Sequence, residues 1–219
     1  MVTIKTFTFN PFSENCYVLS DETRACVIID PGCHILEEEQ ELKSYVEKNN
    51  LRPVRLLNTH CHIDHVFGNP FVSETWKLNL EIHLLELKVL ASFPQVCEMY
   101  GFNGKIQPEP LTILEERNSV QFGNSSLEII FTPGHSPGSV CFYNATEKFL
   151  IGGDVLFQGS IGRSDLPGGN LETLLKSIRE KLFVLPDDTR VFSGHGGVTE
   201  IGIEKKTNPF VGETSSFWF

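Results

Sequence analysis

The sequence predicts an α+β protein in which two sheets lie face to face with helices outside them, and three observations predict it. Short β-branched and aromatic runs gather in two blocks, one within residues 3–57 and one within residues 120–157. Each block gives way to segments whose apolar residues recur at helical spacing. No repeat, low-complexity tract or Pro/Ser-rich linker separates the blocks, so one domain over residues 1–219 is expected. Periodicity alone leaves other mixed folds open.

Strands are predicted at 3–9, 16–19 and 26–29, the last stopped by Asp30-Pro31-Gly32. Residues 35–48 carry Ile35, Leu36, Leu42, Tyr45 and Val46 at near-helical spacing, with acids early and lysines late as the helix dipole favours. A buried strand at 54–57 runs directly into Asn58-Thr59-His60-Cys61-His62-Ile63-Asp64-His65. The pattern over 80–99 reads as mostly helix broken near Pro94, and 120–157 reads as four short strands separated by Gly, Pro and Asn turns. Residues 171–182 form a helix after a Gly-Gly-Asn cap, 190–192 a last strand, and 199–206 a short last helix.

Bulk properties exclude several classes. A chain of 219 residues with 40% hydrophobic and 21% charged composition is long enough to bury its own core. Its apolar runs, such as Val27-Ile28-Ile29 and Phe149-Leu150-Ile151, fall far below the ~18 residues that span a bilayer. The opening residues enter a strand pattern without the apolar stretch of a secretory signal. Six cysteines, at 16, 26, 33, 61, 97 and 141, include no CxxC pair, which fits a reducing cytoplasm. A net charge of −10 without a basic stripe argues against a nucleic-acid partner. The expected partner is a small molecule, with no membrane. A homo-oligomer is compatible, since the aromatic tail Ser215-Ser216-Phe217-Trp218-Phe219 could dock on its own core or on a second copy.

Three of the seven histidines fall at residues 60–65, which points to a metal site. In an extended segment residues i and i+2 share a side, so His60 and His62 present two imidazoles to one ion while Cys61 turns away. Asp64 and His65 would diverge as the chain turns into a helix, and so could serve a second ion. Their plain alternative is surface histidines and a helix-capping aspartate. Downstream, His135 stands in the stiff turn Thr132-Pro133-Gly134-His135-Ser136-Pro137-Gly138, Asp154 follows Gly152-Gly153 at the end of a strand, and His195 sits in Ser193-Gly194-His195-Gly196-Gly197. Any one of these alone is as readily a turn residue. Together they place three ligands at three strand ends, a converging rim.

In order and spacing, His60-x-His62-x-Asp64-His65, His135, Asp154 and His195 resemble the metallo-β-lactamase-fold hydrolases, and Asp30-Pro31-Gly32 resembles the turn that closes a strand near their metals. Gly159-Ser160-Ile161-Gly162-Arg163-Ser164-Asp165 and the segment from Glu204 to Phe210 are similar to the small, single-domain glyoxalase II-like (hydroxyacylglutathione hydrolase-like) enzymes. The resemblance implies an α+β fold of the αββα four-layer sandwich type. It also implies two divalent metal ions, zinc first, with iron or manganese also compatible. His60, His62 and His135 would hold one ion, Asp64, His65 and His195 the other, and Asp154 would bridge them. Two ions sharing a water favour its hydroxide form at neutral pH, so the implied reaction is thioester hydrolysis with Asp64 and Asp154 as catalytic carboxylates.

The same resemblance makes Arg163 a contact for the substrate's anionic end, with an ion pair to Asp165 as its alternative. Asp30 and Thr59 are candidates to hydrogen-bond the ligand histidines, or, for Asp30, to cap a turn. Cys61, His34 and His83 read as packing or structural residues, and Lys205 and Lys206 as a solvated helix face. Full-length glyoxalase II enzymes carry a further helical domain for glutathione, whereas 24 residues follow His195 here (219 minus 195). Persulfide dioxygenases, with one iron and molecular oxygen, are the rival on the same fold, and a non-catalytic metal-binding protein is a third reading.

Overall fold

The structure is a computed structural model that describes residues 1–213 and Ser215. The aromatic tail residues Phe217, Trp218 and Phe219 lie outside the described residues. The chain forms two compact units, one of Met1–Leu114 with Val120–Ser126 and one of Glu115–Ser119 with Leu127–Phe219.

In the first unit a six-stranded sheet runs in the order β1 (Thr3–Phe9), β2 (Glu14–Ser20), β3 (Ala25–Ile29), β4 (Arg52–Leu57), β5 (Leu80–His83) and β6 (Pro110–Leu114). The first three strands pair antiparallel as a meander, and β3 through β6 pair parallel. Every residue of β2 and β3 is buried, as the centre of a sheet covered on both faces requires. Helix α1 (Leu36–Lys48) makes the crossover that parallel pairing of β3 with β4 demands, burying Leu42 and Val46. Its three first-turn glutamates and last-turn lysine follow the dipole as expected. Helices α2 (Ile63–Val66) and α3 (Asn69–Trp76) link β4 to β5, and α4 (Leu87–Ala91) and α5 (Phe93–Tyr100) link β5 to β6.

The expectation of helix from residue 80 is corrected over its first four residues. Leu80–His83 is strand β5, because Leu80 and Ile82 are buried and Glu81 forms a two-pronged pair with Arg55 of β4. Four residues carry too little periodicity to separate strand from helix. Only the parallel partners on both sides decide it. The break beside Pro94 falls where the sequence places it, between α4 and α5. Helix α3 and strand β6 had no sequence expectation.

A second six-stranded sheet runs β14 (Thr199–Glu200), β13 (Arg190–Ser193), β10 (Phe149–Gly153), β9 (Val140–Asn144), β8 (Ser125–Phe131) and β7 (Ser119–Phe122). β10 and β13 pair parallel, with a register shift at Gly153. Helix α6 (Leu171–Ser177), continued by a π-helical turn at Ile178–Leu182, supplies their crossover. Asn170 caps α6, its side chain accepting from the Thr173 N–H at 2.8 Å. Leu174, Ile178 and Leu182 pack with Leu150, Val191 and Ile201 in this unit's core. The short hairpin β11 (Leu156–Phe157) and β12 (Ser160–Ile161) and the terminal helix α7 (Ile201–Thr207) complete it.

Candidate metal centre

The first unit gathers His60, His62, Asp64 and His65 at the end of β4. The chain leaves β4 through a tight loop and enters α2, a single turn with all four residues buried. The rings of His60 and His62 lie 4.7 Å apart and near perpendicular, and those of His60 and His65 lie 4.1 Å apart. Cys61 turns away into the apolar core, and burial pushes its thiol far up, helped by the charges of Glu86 and Asp30.

Asp64 and His65 do not diverge as the sequence suggested: His65 Nε2 lies 3.7 Å from Asp64 Oδ2. Neighbours on a helix start out about 100° apart, but the His65 ring is drawn toward Asp30 and its Nε2 comes back to the Asp64 carboxylate. The Asp30 carboxylate accepts from His65 Nδ1 at 3.1 Å, from the Thr59 N–H at 2.7 Å and from the Thr59 hydroxyl at 2.5 Å. With its proton given to Asp30, Thr59 Oγ1 accepts from His60 Nδ1 at 3.1 Å. Both Nδ1 atoms therefore carry the hydrogen, and both rings present a lone pair at Nε2. Asp30 works as a buried orienting carboxylate as well as a turn residue.

Further residues pin this loop without any signal in the local pattern. Glu86, fully buried after β5, accepts from the Cys61 N–H at 2.7 Å. Asn58 donates to the His65 carbonyl at 3.0 Å, and Asn10 donates to the carbonyls of Gly32 and Asp64, each at 2.9 Å. Glu14, also fully buried, brings Oε1 to 4.0 Å from His65 Nδ1. At Gly32 a Cβ would stand 2.1 Å from Glu14 Oε2 and 2.4 Å from the Asp64 carbonyl, so the turn Asp30-Pro31-Gly32 closes only with glycine there.

The second unit brings His135, Asp154 and His195 together at the ends of β8, β10 and β13. Parallel neighbours end side by side, so Asp154 and His195 are adjacent, and the Gly194 N–H donates to the Gly153 carbonyl at 2.8 Å. His135 is held by α6: Ser177 Oγ donates to the Pro133 carbonyl at 2.7 Å and the Asn170 N–H to the Gly134 carbonyl at 2.7 Å. Asp154 Oδ2 lies 3.6 Å from His135 Nε2 and 3.5 Å from His195 Nε2. His135 Nδ1 donates to the backbone carbonyl of Arg163 at 2.7 Å, which fixes its tautomer and leaves an Nε2 lone pair facing a carboxylate oxygen. Acceptor facing acceptor is repulsive unless a cation lies between them. The donor set in each unit therefore fits metal ligation.

Arg163 pairs two-pronged with Asp165, at 2.8 and 2.9 Å, and the pair holds the Asp165 carboxyl down at about 2. The segment at 204–210 proves to be the brace of the loop that carries Arg163. Buried Glu204 accepts from the Gly159 N–H at 3.0 Å, from Thr199 Oγ1 at 2.5 Å and from Asn208 Nδ2 at 2.7 Å, and Asn208 also donates to the Ser160 carbonyl at 3.0 Å. His34 packs its ring on Phe67, and His83 accepts from the Leu85 N–H at 3.3 Å, so both are structural.

Comparison with known proteins agrees with this geometry. The family model of the metallo-β-lactamase superfamily matches residues 9–195. A probable metallo-hydrolase of Bacillus subtilis, YqgX, is 40% identical over 203 residues, which cover 92% of this chain and 93% of that protein. The hydroxyacylglutathione hydrolase GloC of Haemophilus influenzae is 36% identical, covering 93% of this chain and 95% of its own. Among solved structures, TTHA1623 in a di-iron-bound form superposes with a TM-score of 0.85 at 35% identity, over 94% of this chain and 99% of that one. The fold class is therefore the metallo-β-lactamase fold that the motifs implied.

Proposed function

Because this chain belongs to the metallo-β-lactamase superfamily, whose members are metal-dependent, we propose that it is a dinuclear hydrolase of small thioesters of the hydroxyacylglutathione type. The observation that carries the reading is Asp154, whose Oδ2 stands about equally far from His135 and His195, at 3.6 and 3.5 Å. A carboxylate so placed suits a bridge between two ions. In this reading His60, His62 and His135 hold one metal, Asp64, His65 and His195 hold the second, and Asp154 serves both. The similarity to GloC supports the substrate class, and the di-iron form of TTHA1623 supports iron beside zinc as the native metal.

Bound divalent cations would supply a nucleophile of hydroxide strength at neutral pH and a Lewis acid for the substrate carbonyl. The protein's own part is orientation. Asp30 holds the His65 imidazole and, through Thr59, that of His60, so that Nε2 of each faces the site. The Arg163 carbonyl does the same for His135. Asp64, a ligand in this reading, would also accept a hydrogen bond from the attacking water and so aim it. The leaving thiolate, with an ordinary pKa of about 8.5, departs without a strong acid. Arg163 offers a guanidinium fork for an anionic end of the substrate.

The test joins metal analysis to a thioester panel. The purified chain should carry close to two transition metals and release thiol from an acyl-glutathione, and Asp154→Ala should lose both turnover and metal. Unchanged activity in that variant removes the bridging role. One iron per chain with persulfide-dependent oxygen uptake would replace the hydrolase by the dioxygenase.

A further inference from the structure

A cavity of about 350 Å³ opens in the second unit, lined by the apolar side chains of Ile161, Leu171, Leu175 and Phe210 together with Arg163, Ser164 and Asp165. Its size lies in the range of small-ligand sites and, at ~30 Å³ per water-sized volume, accommodates on the order of a dozen heavy atoms. Gly162, which also lines it, touches the metal-binding residues: a Cβ there would fall 1.8 Å from the Asp154 carbonyl and 3.2 Å from His135 Cγ. The cavity thus shares its wall with the loop whose Arg163 carbonyl orients His135.

Its chemistry is two-sided. Leu171 and Phe210 are large apolar side chains left 42% and 39% exposed, surface that an apolar ligand would cover. Arg163 and Asp165 pair across side chains that are 58% and 69% exposed, and an ion pair so wet contributes little. A ligand carboxylate can take Asp165's place on the guanidinium fork at small cost. Glutathione, whose arms are polar throughout, would leave the aliphatic walls unused.

Resting on the hydrolase reading, we propose that the substrate carries an apolar arm ending in a carboxylate, and that this arm occupies the cavity with its carboxylate on Arg163. Thioesters of a carboxylate-bearing aromatic thiol are then better substrates than those of glutathione. The acyl group plays no part in the distinction.

Two measurements on the metal-loaded full chain test it. In the first, binding of 4-phenylbutanoate is followed by calorimetry, with circular dichroism to show that each variant is folded. Saturable binding is expected, weakened about tenfold by Leu171→Trp, which fills the cavity from its half-exposed rim, and by Arg163→Gln, which removes the fork. Asp165→Asn should tighten it severalfold, and Val184→Trp, on a surface outside the cavity, should leave it unchanged. In the second, acetyl thioesters of 4-(mercaptomethyl)benzoate and of glutathione are compared, and kcat/KM should favour the benzoate by about tenfold. No saturable binding, binding indifferent to Leu171→Trp, or a preference for glutathione overturns the proposal. If no thioester is cleaved, the hydrolase reading falls, while the binding measurement still decides whether the cavity takes an apolar carboxylate.

Discussion

Buried Glu86 accepts a hydrogen bond from the backbone N–H of Cys61 at 2.7 Å, across 25 positions of chain, and so holds the middle of the His60–His62 loop from a neighbouring element. The carboxylate grips the main chain between two proposed ligands. It acts on where two imidazoles point by fixing the peptide between them.

Replacing Glu86 by Ala should therefore weaken metal binding about 10- to 100-fold, the usual cost of losing an outer partner of a metal site. Orphaning a buried N–H should also cost about 1–3 kcal/mol of stability. Glu86→Gln keeps an acceptor and should recover most of both. Metal titration with a chromophoric chelator, beside thermal unfolding of the metal-free chain, reads the two effects apart. Equal metal affinity in wild type and Glu86→Ala would refute the role.

Asp30 adopts a left-handed backbone, φ 49°, which aspartate and asparagine tolerate better than most residues. Asp30→Asn is thus a clean change of chemistry at constant backbone. It removes the charge and one of the two acceptor oxygens that serve Thr59 and His65. Metal affinity should drop 10- to 100-fold while the fold persists. Circular dichroism matching the wild type with unaltered metal affinity would show that Asp30 is a turn residue alone.

Gly162 and Gly159 share a loop yet should respond to alanine to different degrees. At Gly162 the new methyl collides with the backbone of Asp154, so Gly162→Ala should lower stability by about 1–3 kcal/mol and disturb Asp154 with it. At Gly159, φ +66°, nothing lies within 4 Å of the new Cβ, and the cost should be only the conformational one, about 1 kcal/mol or less. Denaturant melts of both variants, together with their metal content, check the contrast. Similar losses of metal in the two would contradict it.

All six cysteines are buried. Burial alone pushes the Cys26 thiol up to about 12, and burial with nearby acids pushes Cys16 and Cys33 well above the usual thiol value. A thiol whose folded pKa lies above its unfolded value contributes stability that is whole below about pH 8.5 and is lost as pH rises toward the folded value. Unfolding free energy should therefore fall steadily between about pH 8.5 and 12, less steeply in Cys26→Ala than in the wild type. Native protein at pH 8 should resist Ellman's reagent until it is unfolded. Rapid labelling of the folded chain would contradict the burial argument.

Much of the candidate site is written along the chain. Metal ligation needs imidazole and carboxylate at the ends of rigid elements, and His60, His62, Asp64, His65, His135, Asp154 and His195 advertise this by their clustering and by the glycines around them. Strands with alternating or wholly apolar runs were equally legible. The four-residue strand β5 was not, because its identity lies in partners on both sides and not in its own pattern. Glu14 and Glu86 were invisible for a related reason: nothing in the neighbourhood of either residue announces that it will be fully buried.

By itself, then, the sequence determined which donor atoms are present, that they stand at strand ends, and the superfamily to which their order belongs. The tertiary structure alone decided which nitrogen His60, His65 and His135 present, that Asp64 and His65 stay together, and that Arg163 lines an apolar cavity. The physical reason is reach. Donor identity is a local property of the residue, whereas a tautomer is set by whatever acceptor the fold brings to the other ring nitrogen, and for His65 that acceptor lies 35 positions away.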